Sequence, residues 1–336
     1  MLFYLYIFSA SALLIAGYLF GDNYWWLGLI NSFRYWLFAP LVIFWIEHLW
    51  VGIEKIPGAF MLLLTGLFIF LYVWFPFYED FLDKKDVEFV GKPIRVMTFN
   101  VFFENKNYSS IVEAIREGDP DVVALQETTP KTIQILEEKL QRDYPHKSFN
   151  SGSNIAGIAT FSKYPIEQRV SIPVKVGSAE LVSLRNPNRN IILVNVHTES
   201  IDPLDVFGGE EKILKAYKNR EVMLKHVIHY LNSHSIPLRN TIILGDFNST
   251  EGNQLYKIMK KEGFTDSYRK VNAILPYAFT FPNNMKGLLK RPAKFWPLIR
   301  LDYIYVGERY KPLEAKVINT ETGSDHKPVV SELGLL

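Results

Sequence analysis

Apolar residues follow three different rhythms along this chain. Up to about residue 80 they are nearly continuous. Met1 to Phe20 carries no charged side chain, a second apolar stretch lies between Trp25 and Trp50, and a third, PGAFMLLLTGLFIFLYVWFPF, runs from Pro57 to Phe77. A helix of about 20 such residues crosses a hydrocarbon core of about 30 Å, so the pattern predicts three transmembrane helices within an anchor over residues 1–80. Tyr24, Trp25, Trp26, Trp50, Trp74 and Tyr78 lie near the ends of these runs, where amphipathic rings favour the headgroup layer. Arg34, Glu47 and His48 lie in or beside the second run and are expected to snorkel toward the interfaces. Because the first basic residue is Arg34, the first segment lacks a signal peptide's basic leader and reads as an uncleaved anchor.

Residues 81–92 form a short polar linker. From residue 93 to 336 the rhythm changes again, to short β-rich runs separated by helical ones. IRVMTFNVFF, DVVALQE, GIATFSKY, EQRVSIPV, AELVSLRN, NIILVNVH, NTIILGDFN, IRLDYIYVG, EAKVINT and KPVVSELG read as strands. YSSIVEAIREG, PKTIQILEEKLQRDY, GEEKILKAYKNREVMLKHVIHYLNS and GNQLYKIMKKEGF read as amphipathic helices. Four strands in succession exclude strict βα alternation. The expected class is α+β: two mixed sheets packed face to face with helices outside.

Charge adds a mild bias. With the four basic and eight acidic residues before Val90 set aside, 33 basic residues stand against 27 acidic ones, which favours anionic partners without distinguishing nucleic acid from phospholipid. Lys84, Lys85 and Lys92 after the third apolar run favour a cytoplasmic placement of that end, whereas the absence of cysteine suits an exported domain.

The candidate chemistry lies where strands end. VMTF ends in Asn100, VVAL in Gln126-Glu127, ILVNV in His197 after Asn195, and IILG in Asp246-Phe247-Asn248; Asp302 opens its strand and Asp325-His326 precedes KPVV. Ligand sites form where sheet ends gather side chains from distant positions. A carboxylate such as Glu127 suits a hard cation like Mg²⁺, with Mn²⁺ as the alternative. No cysteine and no His-x-x-x-His or His-Glu-x-x-His spacing is present, nor a nucleotide-binding Gly-rich loop, nor a Gly-x-Ser-x-Gly elbow. What remains is metal-assisted attack of water on a phosphoryl centre.

In order, VMTFNV, DVVALQET, GIATFSKYPI, ILVNVHTE, ILGDFNST, RLDYIYV and GSDHKPVV resemble the motif series of the endonuclease/exonuclease/phosphatase superfamily. The resemblance implies a four-layer α/β-sandwich and Mg²⁺-dependent phosphoester hydrolysis. It also implies roles. Asn100 and Glu127 would hold the metal, with Asp325 touching it through water, and Asp246 would deprotonate the attacking water. Asn248 would donate to the nucleophile or a phosphate oxygen, and His326, oriented by Asp302, would bind the phosphate. His197 would assist the leaving group.

Asn195, Lys290, Arg291 and Trp296 are the expected substrate-binding residues. The last three belong to the stretch NNMKGLLKRPAKFWPLIR, which also holds Arg300 and mixes basic with apolar side chains in a way that suits an anionic membrane interface. Three apolar helices before such a domain also resemble the bacterial membrane phosphatases linked to vancomycin and teicoplanin resistance. That likeness implies a multi-pass protein of a bacterial plasma membrane, an extracytoplasmic catalytic domain and a phosphorylated lipid substrate. A tethered nuclease acting on nucleic acid and a non-catalytic scaffold are the alternatives. No protein partner is inferred.

Overall fold

The computed structural model describes residues 2–51, 58–69, 89–151, 156–186, 190–202, 205, 207–272, 278–283 and 297–336. Among the described residues, twelve strands form two six-stranded sheets. β1 (Ile94–Asn100), β2 (Val122–Thr128), β3 (His146–Asn150), β4 (Gly157–Ser162), β11 (Tyr310–Val317) and β12 (Val329–Leu335) make the first, in the order β11-β12-β1-β2-β4-β3. β5 (Ile166–Ser171), β6 (Ser178–Arg185), β7 (Asn190–His197), β8 (Thr241–Asp246), β9 (Thr265–Asp266) and β10 (Asp302–Val306) make the second, in the order β5-β6-β7-β8-β10-β9. The β1–β2 and β7–β8 pairs are parallel and the others antiparallel, so both sheets are mixed.

Alternation along the strands sorts the core into layers. Ile94, Val96, Val122, Ala124, Leu193, Ile242, Leu244 and Ile304 pack between the sheets. Met97, Phe99, Val123 and Leu125 turn outward, under α5 (Tyr108–Gly118) and α6 (Pro130–Leu140). Val194, Val196, Ile243 and Tyr305 turn outward on the other side, under α7 (Glu210–Ser233) and α8 (Gln254–Lys261). A short α9 (Ser267–Val271) completes the unit. The result is helix, sheet, sheet, helix, as expected. Asn107 caps α5 and Thr129 caps α6 ahead of Pro130, each side chain accepting from a first-turn N–H.

The N-terminal part corrects the expectation of three spans: the described residues give one spanning helix, or two spans if a bent helix pair counts as one. Among the described residues one helix, α1 (Leu2–Phe20), is long and apolar enough to cross a membrane. The second apolar run is broken into α2 (Trp25–Ser32), a 3₁₀ turn (Arg34–Phe38), α3 (Ala39–Ile46) and a π turn (Glu47–Val51), with a bend of 78°. Polar residues cause the break. Asn31 and Ser32 form side-chain hydrogen bonds with Asp22, Tyr217 and Asn253, which turns the chain out of a straight span. α4 (Gly58–Ile69) holds the 12 described residues of the third run after Pro57. Residues 70–88, with the end of that run and most of the linker, lie outside the described residues.

Candidate functional site

Strand parity builds the site. On β1, β7, β8 and β10 the residues facing between the sheets are apolar through most of their length and polar at one end of the sandwich, so Asn100, His197, Asp246 and Asp302 extend the inner faces that Val96, Leu193, Leu244 and Ile304 begin. Pairing then sets neighbours: parallel register places His197 beside Asp246, and antiparallel register places Asp302 opposite Asp246. Gly245 lets β7 and β8 come this close, since a Cβ there would lie 1.8 Å from the Val196 carbonyl oxygen.

Asn100 Nδ2 donates to Glu127 Oε1 at 3.0 Å and to Asp246 Oδ2 at 2.9 Å, tying the two sheets together at their polar end. Its Oδ1 accepts from Phe102 N at 3.0 Å. Glu127 Oε2 accepts from Phe103 N at 3.2 Å, and Asp246 Oδ1 accepts from Asn248 N at 2.8 Å. Asn248 Nδ2 in turn donates to the Thr198 carbonyl at 3.1 Å. Phe102, Glu127 and Asn248 have φ of 60°, 54° and 46°, a left-handed backbone that disfavours side chains with a Cβ. Three such residues around one cleft mark a backbone held in place by its surroundings.

Asp302 Oδ2 lies 2.8 Å from His326 Nδ1. A carboxylate only accepts, so the proton sits on Nδ1. Burial by itself pulls this imidazole's pKa down, but the carboxylates of Asp302 and Asp246 and the hydrogen bond to Asp302 outweigh it and hold His326 well above the usual histidine range. Burial pushes Asp302 up, against the pull of His326. Nε2 of His326 is 3.6 Å from Asp246 Oδ2, and the Phe281 ring lies 4.9 Å from the imidazole, centroid to centroid. His197 Nε2 stands 3.6 Å from Glu127 Oε1 and 3.8 Å from Asp246 Oδ2, beyond hydrogen-bond reach, and has no hydrogen-bond partner among the described residues. The Glu127 and His197 side chains keep 18% and 19% exposure, so the cleft opens to solvent beside them.

A divalent cation fits this donor set. Asp325 Oδ1 is buried without a hydrogen-bond partner among the described residues, and burial followed by the nearby Glu127 and Asp246 carboxylates raises the Asp325 pKa to about 6, against the pull of His326. Crowded carboxylates of this kind are relieved by a cation. Asp246, Asp302 and His326 also bring three ligand atoms within 4.8 Å of one another. His326, however, is itself cationic, so the oxygen donors of Asn100, Glu127 and Asp325 suit a hard ion better.

Of the expected site residues, Asn100, Glu127, His197, Asp246, Asn248, Asp302, Asp325 and His326 are brought together. Asn195 is a correction. Its Nδ2 donates to the Leu125 and Ala159 carbonyls at 3.1 and 3.0 Å and its Oδ1 accepts from Gln126 Nε2 at 2.8 Å, so the amide bridges the sheets beneath the site and faces no substrate. Arg300, in the stretch expected to suit an anionic interface, is instead buried against Glu251 and Asp266. Lys290, Arg291 and Trp296 lie outside the described residues.

Two contributors escaped the sequence reading. Ser324 Oγ donates to the Asn100 carbonyl at 2.7 Å and accepts from His326 N at 3.0 Å, joining the β1 end to the Asp325-His326 turn. Arg220, 3% exposed on α7, donates to the Glu199 carbonyl at 2.6 Å and places a buried positive charge near Asp246. Its signal was a charged residue on the apolar stripe of Ile213, Tyr217, Leu224 and Val227.

A profile of the Endonuclease/Exonuclease/phosphatase family matches residues 97–326, from inside β1 to His326. No curated protein matches the chain. Among solved structures, the human Nocturnin catalytic domain with bound sulfate anion is similar at a TM-score of 0.55 and 17% identity, covering 74% of this chain and 97% of that one. Truncated Caenorhabditis elegans TDP2 gives 0.55 and 16%, covering 74% and 100%. D. rerio TDP2 complexed with single strand DNA product gives 0.53 and 14%, covering 73% and 100%. At these identities the likeness is one of fold.

Proposed function

The chain belongs to the Endonuclease/Exonuclease/phosphatase family, and from that premise we propose that it is a membrane-anchored, Mg²⁺-dependent phosphoesterase that hydrolyses a phosphoester or pyrophosphate of a membrane lipid. Residues 1–80 are then the anchor, 81–92 the linker and 93–336 the catalytic unit. The observation that carries the reading is the convergence of Glu127, Asp246, Asp302 and Asp325 with a cationic His326 and an unpartnered His197 in one half-open cleft.

In this reading Asn100, Glu127 and Asp325 would hold the cation, which would supply Lewis-acid neutralisation of phosphoryl charge. Asp246 orients a water and takes its proton as the new O–P bond forms. Asn248 has one amide hydrogen beyond that committed to Thr198, and offers it to the nucleophile or a phosphoryl oxygen. His326 donates from Nε2 to the charge that accumulates on the phosphoryl oxygens, its ring fixed by Asp302. As the ester P–O bond breaks, His197 gives a proton to the departing oxygen.

The lipid preference rests on α1, which is long and apolar enough to span and whose end lies against the catalytic unit. Assignment to the resistance-linked membrane phosphatases is a finer reading that rests on the same anchor arrangement. A second reading, a tethered nuclease, is favoured by the fold it shares with D. rerio TDP2, which was solved with a single-stranded DNA product. Phosphate and product release from lipid pyrophosphates, sphingomyelin and DNA, each with Mg²⁺, Mn²⁺ or EDTA, separates the two. Hydrolysis of DNA alone would overturn the lipid reading, and EDTA-insensitive activity the metal.

Two further results are expected. Glu127→Gln, which replaces an anionic ligand by a neutral one, lowers kcat by about 10²-fold in steady-state assays, the scale of one lost transition-state contact. Added Mg²⁺ raises the Tm measured by calorimetry, and the gain shrinks as pH falls through about 6. Asp325 is ionised above that pH and protonated below it, so a cation must then displace a proton. Its affinity falls by up to about tenfold per pH unit. A Tm gain independent of pH from 5 to 8 would remove Asp325 from the ligand set.

A further inference from the structure

The proposed reaction leaves one built feature unused, the polar turn that follows the α1 span. Asp22 comes two residues after that helix and is 3% exposed. In a simple tether this carboxylate would be solvated among headgroups. Here Oδ1 accepts from Asn31 Nδ2 and Asn253 Nδ2, both at 3.1 Å, and Oδ2 accepts from Gln254 N at 2.7 Å. Gln254 opens α8, whose own flanking residue Asn253 makes no side-chain cap. Asp22 therefore supplies the missing cap, and with it the negative charge that a helix N-terminus favours.

The capping is reciprocal. Lys257 on α8 donates from Nζ to the Gly17 and Tyr18 carbonyls at 3.3 and 3.4 Å, at the C-terminal end of α1 where orphan carbonyls and the helix dipole favour a cation. Each helix is thus finished by the other. The contact is also tight: a Cβ at Gly28 would lie 2.5 Å from the Tyr217 ring, and one at Gly252 would lie 2.0 Å from the Asn31 carbonyl oxygen. A swinging tether has no need of such close approach.

The same turn is connected to the catalytic cleft by two routes. Asn253 is five residues beyond Asn248, at most about 18 Å of chain. On the other side Trp36 Nε1 donates to the Leu298 carbonyl at 2.9 Å, Leu298 N donates to the Phe281 carbonyl at 2.8 Å, and the Phe281 ring stands against His326.

We propose that the segment Gly21–Trp36 is a docking element that locks the catalytic unit onto the end of the α1 span, so that the cleft is held beside the bilayer and draws phosphorylated amphiphiles directly from the membrane plane. Asp22 is its positioning residue. The substrate half of this inference rests on the lipid reading above, whereas the docking half does not. A fixed cleft at the surface meets headgroup phosphates at high effective concentration, an advantage that a loosened cleft loses.

The test uses the full chain, which contains no cysteine, in phosphatidylglycerol/phosphatidylethanolamine vesicles. Asn23→Cys with Lys218→Cys, at side chains in contact across the interface, is treated with a short bis-methanethiosulfonate. The pair is expected to cross-link in the otherwise unchanged protein and to lose at least about fivefold in yield with Asp22→Ala, while Asp22→Asn, which keeps an acceptor, retains most of it. In the cysteine-free background, Asp22→Ala is expected to raise the apparent KM for a long-chain polyprenyl pyrophosphate in those vesicles by at least about tenfold. Its kcat/KM for soluble bis-p-nitrophenyl phosphate stays unchanged. Absence of the cross-link without Asp22→Ala overturns the docking. Parallel loss on both substrates, or an unchanged vesicle KM once the cross-link is lost, overturns the positioning role. Cleavage of DNA with no vesicle hydrolysis overturns the lipid reading and the substrate half with it, and the cross-link then still decides the docking half.

Discussion

Replacing His326 with alanine lowers kcat by about 10²- to 10³-fold, the range for loss of a donor aimed at developing charge. The size follows from the setting. His326 is buried, carries its Nδ1 proton toward Asp302 and is held cationic by Asp302 and Asp246, so its Nε2–H is a charged donor whose orientation is already fixed before substrate arrives. Asp302→Asn separates charge from geometry. The hydrogen-bond partner survives, but the carboxylate that raises the imidazole pKa is gone. The folded pKa therefore drops, and the alkaline limb of the kcat–pH profile moves to lower pH. Full activity in His326→Ala, or an unmoved alkaline limb in Asp302→Asn, removes the imidazolium from the reaction.

Much of this site was legible because strands have a period of two. A reader who sees Val96, Thr98 and Asn100, or Ile242, Leu244 and Asp246, can tell that the polar residue continues a buried face. How far along that face the chemistry begins was not legible. Asn195 shares parity with His197 and lies one step deeper, where its amide joins the sheets. β3, the run HKSFN, has too little apolar alternation to announce a strand; its pairing with β4 makes it one. The buried partners of Arg220 and Arg300 are distant in sequence, and only packing reveals them. The second apolar run is the same lesson reversed. Composition favours a span there, but the hydrogen bonds of Asn31 and Ser32 to distant residues win locally and bend the chain.

Replacing Glu251 with alanine costs about 3–5 kcal/mol of stability, the range for breaking a buried ion pair from one side. Glu251, Asp266, Arg269 and Arg300 are each at most 5% exposed and form a charge-balanced cluster. Arg269 Nη1 donates to Glu251 Oε2 at 3.1 Å and Arg300 Nη1 donates to Asp266 Oδ1 at 3.1 Å, while Arg300 Nη2 bridges Glu251 and Asp266. Burial alone would raise the Glu251 pKa, but Arg300 and Arg269 outweigh it and hold the carboxyl below its ordinary value. Its stabilisation is therefore present above the ordinary carboxylate pKa and is lost as pH falls through the lower folded value. Urea midpoints read by tryptophan fluorescence in detergent measure the loss. Glu251→Leu with Arg269→Leu removes one charge of each sign and is expected to recover much of it, because the Arg300–Asp266 pair stays matched. Loss of less than about 1 kcal/mol in Glu251→Ala, the value of an exposed pair, would show that water reaches the cluster. The cluster also touches function: Glu251 accepts from Tyr35 in the docked turn, and Arg300 stands two residues before Asp302. Its collapse is expected to loosen the docked turn and to release the carboxylate that orients His326, so stability and kcat fall together in Glu251→Ala and recover together in the double variant.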